Sequence, residues 1–283
     1  MDINAIILAA GTASRFVPLS NEIPKGLLEI RGEILIERQL RQLKEAGIND
    51  ITVVVGYKKE MFEYLKESFG VSIVYNPDFQ KYNNISSIIR VIDKLHNTYI
   101  LTSDNYYPDN IFLNPPEESY YSAIFNEGET DEYCMTVDED GYINNVTVGG
   151  KDMWFMYGPA FFCNKFSKRF REILIMEYDL PNVKEGYWED LYIRHLDELK
   201  MRILPRKSGE IEEFDSIDEL RNFDESYIEN TRSHLIAEIA HQLNCSQSKL
   251  HKFKKIGYDP LHFSFLKNDT AYEYYNGKIK IKE

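Results

Sequence analysis

Hydrophobic and polar positions follow two alternating patterns over the first hundred residues. Continuous apolar runs at 3–8, 51–55, 71–75 and 98–102 have the length and character of strands buried on both faces. Between them apolar residues recur at helical spacing: Ile36, Leu40 and Leu43, then Met61, Phe62 and Leu65, then Ile85, Ile88, Ile89 and Ile92. Gly47 closes the first of these helices. The alternation predicts an α/β fold with a doubly wound, mostly parallel sheet. In such sheets ligands bind beyond the carboxyl ends of the strands, where Gly11 and Asp104 both fall.

The period changes near residue 119. Short runs at 120–125, 134–137, 142–148 and 154–163 predict strands that continue the sheet and roof a pocket, with Asp140-Gly141 and Gly149-Gly150 as hairpin turns. Helices at 166–176 and 189–199, strands at 201–204 and 210–214, and a helix at 217–223 follow. Beyond 231 the pattern gives a helix (Leu235, Ile239, Leu243), a turn capped by Cys245-Ser246-Gln247-Ser248, and strands at 253–256, 262–266 and 271–275.

Charge adds a boundary. The chain carries −13 in all, yet from Thr231 onward nine Lys/Arg face five Asp/Glu, a net +4. The expected organisation is therefore a main domain at 1–229 and a small α+β extension at 230–283. A chain of −13 does not carry a nucleic-acid footprint, so any basic pocket must be local. No apolar run reaches transmembrane length, and the first strand begins too early to leave room for a signal peptide. Cys134, Cys163 and Cys245 have no metal-ligand spacing and read as buried thiols of a cytoplasmic protein.

The first strand opens into Leu8-Ala9-Ala10-Gly11-Thr12-Ala13-Ser14-Arg15, followed by Pro18-Leu19-Ser20 and Pro24-Lys25-Gly26. Small residues let backbone N–H groups approach phosphate oxygens or a base edge. Arg15 adds a fork of donors suited to a polyphosphate, and Lys25 a compact positive charge. An ordinary strand–helix connection explains neither. There is no GxxxxGK[ST] loop and no GxGxxG. The ordered set resembles the signature of nucleotidyltransferases that join a nucleoside triphosphate to a phosphorylated small molecule.

Acidic residues supply the complement. Asp104, in Ser103-Asp104-Asn105-Tyr106, stands at a strand's carboxyl end, where a Mg²⁺ ligand is needed, or serves as a turn former. Glu213 and Asp215 share a face if the strand at 210–214 forms, and Asp215 competes with Ser216 to cap the next helix. An acceptor phosphate would attack the α-phosphorus in line and expel pyrophosphate. Arg15 would hold the β/γ end and Lys25 the transferred group, with no general base required. Asn84, in Asn83-Asn84-Ile85-Ser86-Ser87, either caps a helix or reads a base edge.

Further matches are Glu45-Ala46-Gly47-Ile48-Asn49-Asp50-Ile51, Val55-Gly56-Tyr57, Tyr82-Asn83-Asn84 and Glu213-Phe214-Asp215-Ser216. Over about residues 1–225 the chain resembles the bacterial CTP:phosphocholine cytidylyltransferases, the LicC-type branch of the Rossmann-like sugar-phosphate nucleotidyltransferases. The resemblance implies Mg²⁺ held by Asp104, Glu213 and Asp215, Lys25 as catalytic lysine, and Leu8, Ala10, Gly11 and Asn84 near the cytidine. Ala9, Thr12, Ser86 and Ser103 complete the candidate nucleotide-binding set. Val17 stands where some relatives have a second arginine.

A choline head offers no hydrogen-bond donor and is held by aromatic faces and carboxylates. Candidates are Tyr133, Trp154, Tyr157, Tyr187 and Trp188 with Glu189 and Asp190; Trp154 and Tyr157 serve equally well as packing residues. The same set could take a primary ammonium, so phosphoethanolamine and 2-aminoethylphosphonate remain alternative acceptors. Sugar-1-phosphate transfer and non-catalytic nucleotide binding are further alternatives, and a homodimer is one oligomeric alternative. The extension resembles a truncated choline-kinase N-lobe without its catalytic lobe; a winged-helix-like adaptor or oligomerisation module is the other reading.

Overall fold

A computed structural model describes residues 2–282. Packing divides them into two compact units interleaved along the chain. One runs to Gly11 and resumes over Glu37–Glu212; the other comprises Thr12–Ile36 and the chain from Glu213 onward.

The first unit is built on seven strands: β1 (Asn4–Ala9), β2 (Asp50–Val55), β3 (Ser72–Tyr75), β4 (Thr98–Thr102), β5 (Tyr120–Val137), β6 (Ile143–Phe162) and β7 (Arg202–Pro205). Their order across the sheet is β7-β5-β6-β4-β1-β2-β3. β1 pairs in parallel with β2 and β4, β2 with β3, and β7 with β5; only β6 runs against its neighbours. The fold is thus the mostly parallel mixed sheet expected from the continuous apolar runs. β1 is buried at every position, because helices cover both faces of a central parallel strand.

Three of the helices are shorter than their periodicity suggests. Leu35–Glu45 (α1) forms as expected, and Gly47 beyond it takes φ +80°. The second helix breaks into Lys59–Phe62 and Leu65–Phe69. The third is a single turn, Ile85–Ile88 (α2), continued by a 3₁₀ stretch with a non-helical Val91 (φ −126°). Asn164–Glu177 (α3) matches its expectation, whereas the helix expected at 189–199 is Trp188–Arg194 (α4).

The Asp140-Gly141 turn forms, with Gly141 N donating to Asp138 O and φ +82° at the glycine. At Gly149-Gly150 the chain does not reverse. β6 runs through it, and Gly150 pairs with Thr130 inside a hairpin marked by repeated register shifts. A side chain on Gly150 would lie 2.9 Å from Cys134 Sγ, so this glycine allows close strand approach rather than a turn. Below the sheet, Phe162, Phe166, Phe170, Trp188 and Tyr192 join Ile6, Val54 and Ile100 in the core.

In the second unit, Thr12–Ile36 holds only short elements: 3₁₀ turns at Ser14–Phe16 and Lys25–Leu27, a four-residue helix at Leu19–Glu22, and a small hairpin. The remainder carries helices Ile217–Phe223 (α5) and His234–Gln242 (α6). It ends in an antiparallel sheet of β8 (Leu250–Lys255), β9 (His262–Lys267), β10 (Thr270–Tyr275) and β11 (Lys278–Ile281), paired in chain order. β11 adds a fourth strand to the three expected in the extension, and Lys278-Ile279-Lys280-Ile281 alternates with period two. Among the described residues no helix is long and apolar enough to cross a membrane.

Candidate active site

β1 delivers Leu8, Ala9 and Ala10 to the sheet's carboxyl edge still buried, with 6–8 % of their surface exposed. Ala10 O accepts from Tyr57 N at 3.1 Å and Leu8 O from Ser103 N at 3.1 Å, so the strand end is pinned on both sides. Gly56 makes this possible: a Cβ there would stand 2.7 Å from Ala10 O and 2.6 Å from the Phe79 ring. Gly11 differs. A Cβ on it would meet nothing within 4 Å, so the fold itself leaves the space above it open. Gly11 and Thr12 are exposed.

Asp104 follows β4 and is half-buried. Its turn is held from below by Gln39 of α1, whose Nε2 donates to Thr102 O (3.0 Å) and Asn105 O (2.7 Å). Gln39 is fully buried. Gln39 and Gln42 are both buried on the inner face of an amphipathic helix, polar side chains that the apolar period of Ile36, Leu40 and Leu43 does not single out.

Within the second unit, Asp215 gathers both cations. Arg15 Nη1 lies 2.5 Å from Asp215 Oδ2, and Lys25 Nζ 3.6 Å from Oδ1. The two cations differ in setting. The Arg15 side chain is 77 % exposed, so the pair holds it only weakly and leaves it able to turn to an incoming anion. Lys25 is 8 % exposed, so its charge depends on a local counter-charge. Val17 is buried and supplies no cation.

Ser216, not Asp215, caps α5: Ser216 Oγ accepts from Glu219 N at 3.2 Å, and Asp215 N donates back to Glu219 Oε2 at 2.8 Å. The strand expected at 210–214 shrinks to Glu212–Glu213, so Glu213 and Asp215 do not share a strand face. Among the described residues no group of three or more His, Cys, Asp or Glu side chains converges as a ready-made metal site. The carboxylates of Asp104, Glu213 and Asp215 are nonetheless the hard oxygen donors that suit Mg²⁺, and Asp215 already faces cations.

The third cluster lies at the start of α4 in the first unit. Asn84 directly precedes α2 yet makes no capping bond. Its Oδ1 accepts from Trp188 N (2.8 Å), and its Nδ2 donates to Glu189 Oε2 (3.1 Å). Tyr121 Oη donates to Glu189 Oε1 at 3.1 Å. Asp190 accepts from Tyr133 Oη at 3.3 Å and from Tyr187 N at 2.7 Å. Two adjacent carboxylates thus stand side by side, rimmed by tyrosines. Burial pushes the Glu189 carboxyl up to about 7, against the hydrogen bonds from Asn84 and Tyr121. Burial and the neighbouring Asp190 raise the Tyr133 phenol.

Several expectations change here. Trp188 is 2 % exposed and lies in the core, stacked on Tyr121 at 5.6 Å and edge-on to Phe162 at 5.0 Å. It offers no open ring face and instead backs the tyrosine that holds Glu189. Ser86 is fully buried; its Oγ accepts from Asn76 Nδ2 and donates to Asn83 O, so its partners lie within the protein. Trp154 and Tyr157 are half-buried on β6, edge-on to Phe125 and Phe155. Tyr187 is 45 % exposed. Tyr121 was missed, because an aromatic on a sheet strand reads as packing until its hydroxyl is seen on a carboxylate.

Residues 5–116 match the MobA-like NTP transferase domain family. The chain is 33 % identical to a choline-phosphate cytidylyltransferase of Streptococcus pneumoniae, over 78 % of this chain and 96 % of that protein. It is 36 % identical to a 2-aminoethylphosphonate cytidylyltransferase of Lancefieldella rimae, over 81 % of this chain and 95 % of the relative. The solved structure of the CTP:phosphocholine cytidylyltransferase LicC from Streptococcus pneumoniae superposes with a TM-score of 0.76 at 33 % identity, covering 80 % of this chain and 99 % of that one. A UDP-glucose pyrophosphorylase bound to UDP-glucose shares the fold at TM-score 0.61 and 16 % identity, with 80 % and 98 % covered. The chain belongs to the LicC-type cytidylyltransferase family of nucleotidyltransferases.

Proposed function

We propose that this cytidylyltransferase transfers CMP from CTP to a small phosphorylated acceptor with a cationic head, phosphocholine first, giving the CDP-linked product and pyrophosphate. The observation that carries the acceptor class is the Glu189–Asp190 pair, with both carboxylates oriented by tyrosine hydroxyls. A sugar acceptor would call for neutral hydrogen bonders, whereas paired carboxylates fit an ammonium.

In this reading Leu8, Ala9, Ala10, Gly11, Thr12 and Ser103 line the nucleotide. Arg15 meets the β/γ-phosphates. Lys25 neutralises charge that builds on the transferred group, and it is pre-oriented because burial and Asp215 restrict it. Asp104, Glu213 and Asp215 would hold Mg²⁺, which when bound offsets charge on the triphosphate. The acceptor phosphate is already ionised, so no side chain need remove a proton. Tyr133 and Tyr187 flank the head group, and Glu189 and Asp190 meet its charge.

2-Aminoethylphosphonate is the second reading. With Trp188 buried, the site relies more on carboxylates than on open aromatic faces, which favours a primary ammonium that donates hydrogen bonds. The decisive assay is pyrophosphate release with Mg²⁺ and CTP against phosphocholine, phosphoethanolamine, 2-aminoethylphosphonate and glucose-1-phosphate. Turnover confined to the cationic acceptors is expected, and the preferred amine chooses between the two readings. Preference for glucose-1-phosphate, or no turnover with any acceptor, overturns the assignment.

A further inference from the structure

Between residues 12 and 27 the chain forms a 3₁₀ turn, a four-residue helix and another 3₁₀ turn. Elements this short have little stability of their own, since isolated helices under about 12 residues are marginal in water. Their order has to come from what they pack against. Arg15 and Lys25 both lie in this segment.

The partner is a helix more than 200 positions later. Glu22 closes the four-residue helix, and its carboxylate accepts from Ser233 Oγ (2.5 Å), His234 N (2.8 Å) and Leu235 N (3.0 Å). Ser233 Oγ then takes Ile236 N at 3.1 Å, so the first turn of α6 is satisfied by one remote glutamate and one local cap. A negative charge at a helix N-terminus is also the favourable polarity. One further tie reaches the same segment, and three more fasten the hairpin that follows it to residues 224–232. Asn21 Nδ2 donates to Pro260 O at 2.5 Å, and Arg31 N to Asp224 Oδ2 at 2.7 Å. Tyr227 Oη and Arg232 Nη1 both donate to Glu29 O, at 2.7 and 2.6 Å.

We propose that Glu22 is a positioning residue for nucleotidyl transfer, and that residues 230–283 act through it as a brace that holds the Arg15–Lys25 loop in its working conformation. The proposal rests on the reading of Arg15 and Lys25 given above. It assigns the C-terminal extension a task in the same reaction rather than a separate activity. Glu22 stands seven residues after Arg15 and three before Lys25, so loss of its anchor would loosen both cations together. Catalytic groups displaced by about 1 Å can lose on the order of 100-fold in rate.

The test uses the full chain with Glu22→Ala, with Ser233→Ala as the milder variant should the first not fold. Kinetics are measured well below the melting temperature, against both substrates, with hydrogen exchange followed by mass spectrometry. The brace requires a rise of about fivefold or more in CTP KM, or a matching fall in kcat. Acceptor KM should stay within about twofold, and exchange should quicken in peptides from 12–25 but not in β1, β2 or β4. A lowered Tm with wild-type CTP kinetics would make the contact merely structural and overturn the proposal, as would an equal rise in both KM values. Arg15→Ala, run in parallel, separates the two possible failures. If it leaves CTP use untouched, the reading of the loop itself is wrong. If it impairs CTP use while neither brace variant does, only the brace is wrong.

Discussion

Glu189 shows how much one residue's surroundings decide. Its carboxyl, ordinarily at 4.5, rises to about 7 because burial disfavours the charge. Between those values the native state keeps a proton that the unfolded chain has released. The residue's contribution to stability is therefore fully present below about 4.5 and is lost as pH rises through about 7. Glu189→Gln should match the wild type in Tm near pH 5 and exceed it near pH 8, which scanning calorimetry across that range checks. Function should move the other way. A cationic acceptor needs the ionised form, so wild-type acceptor KM should climb as pH falls below about 7, and the glutamine variant should show a high, pH-independent acceptor KM with little change for CTP. Trp188 makes the contrasting case. Its sequence neighbourhood of acids suggests a cage wall, but its ring is buried against Tyr121, Phe162 and Phe170. Trp188→Ala should therefore cost about 3–5 kcal/mol in urea unfolding. A normal unfolding free energy with a selectively raised acceptor KM would return Trp188 to the cage.

Elements were legible where hydrophobic period and length agreed. The four parallel strands of the first hundred residues, α1, α3 and α5 fall close to their expected bounds. The helices with Met61 and Ile85 did not extend, because tertiary packing decided where each turn stops. Glycine was the least legible signal. Gly149-Gly150 looks like a turn, yet serves strand crowding, whereas Gly56 looks unremarkable and controls how closely β2 meets the end of β1. Gly56→Ala should push the Phe79 ring and the Ala10 carbonyl apart and destabilise the protein by about 1–3 kcal/mol. CTP KM should rise as the strand end shifts, and unchanged stability in chemical denaturation would show that the neighbours yield easily.

At the scale of the molecule, the charge step near 230 is real, but packing follows other lines. Residues 12–36 belong with the chain from Glu213 onward, so the stretch that carries Arg15 and Lys25 shares a unit with the C-terminal sheet. No local pattern could announce this, because contacts such as Glu22 with His234 join positions 212 apart. Legible along the chain alone were the mostly parallel sheet and the ordered small-residue, Arg15 and Lys25 motif that marks the family. Those follow from period, residue size and charge, which are properties of neighbours along the chain. Three-dimensional packing settles that Ser216 rather than Asp215 caps its helix, that Asn84 ties α4 instead of capping α2, and that Trp188 lies in the core. Each of these depends on which groups meet across the fold, where one hydrogen bond or one buried face outweighs what the residue prefers locally.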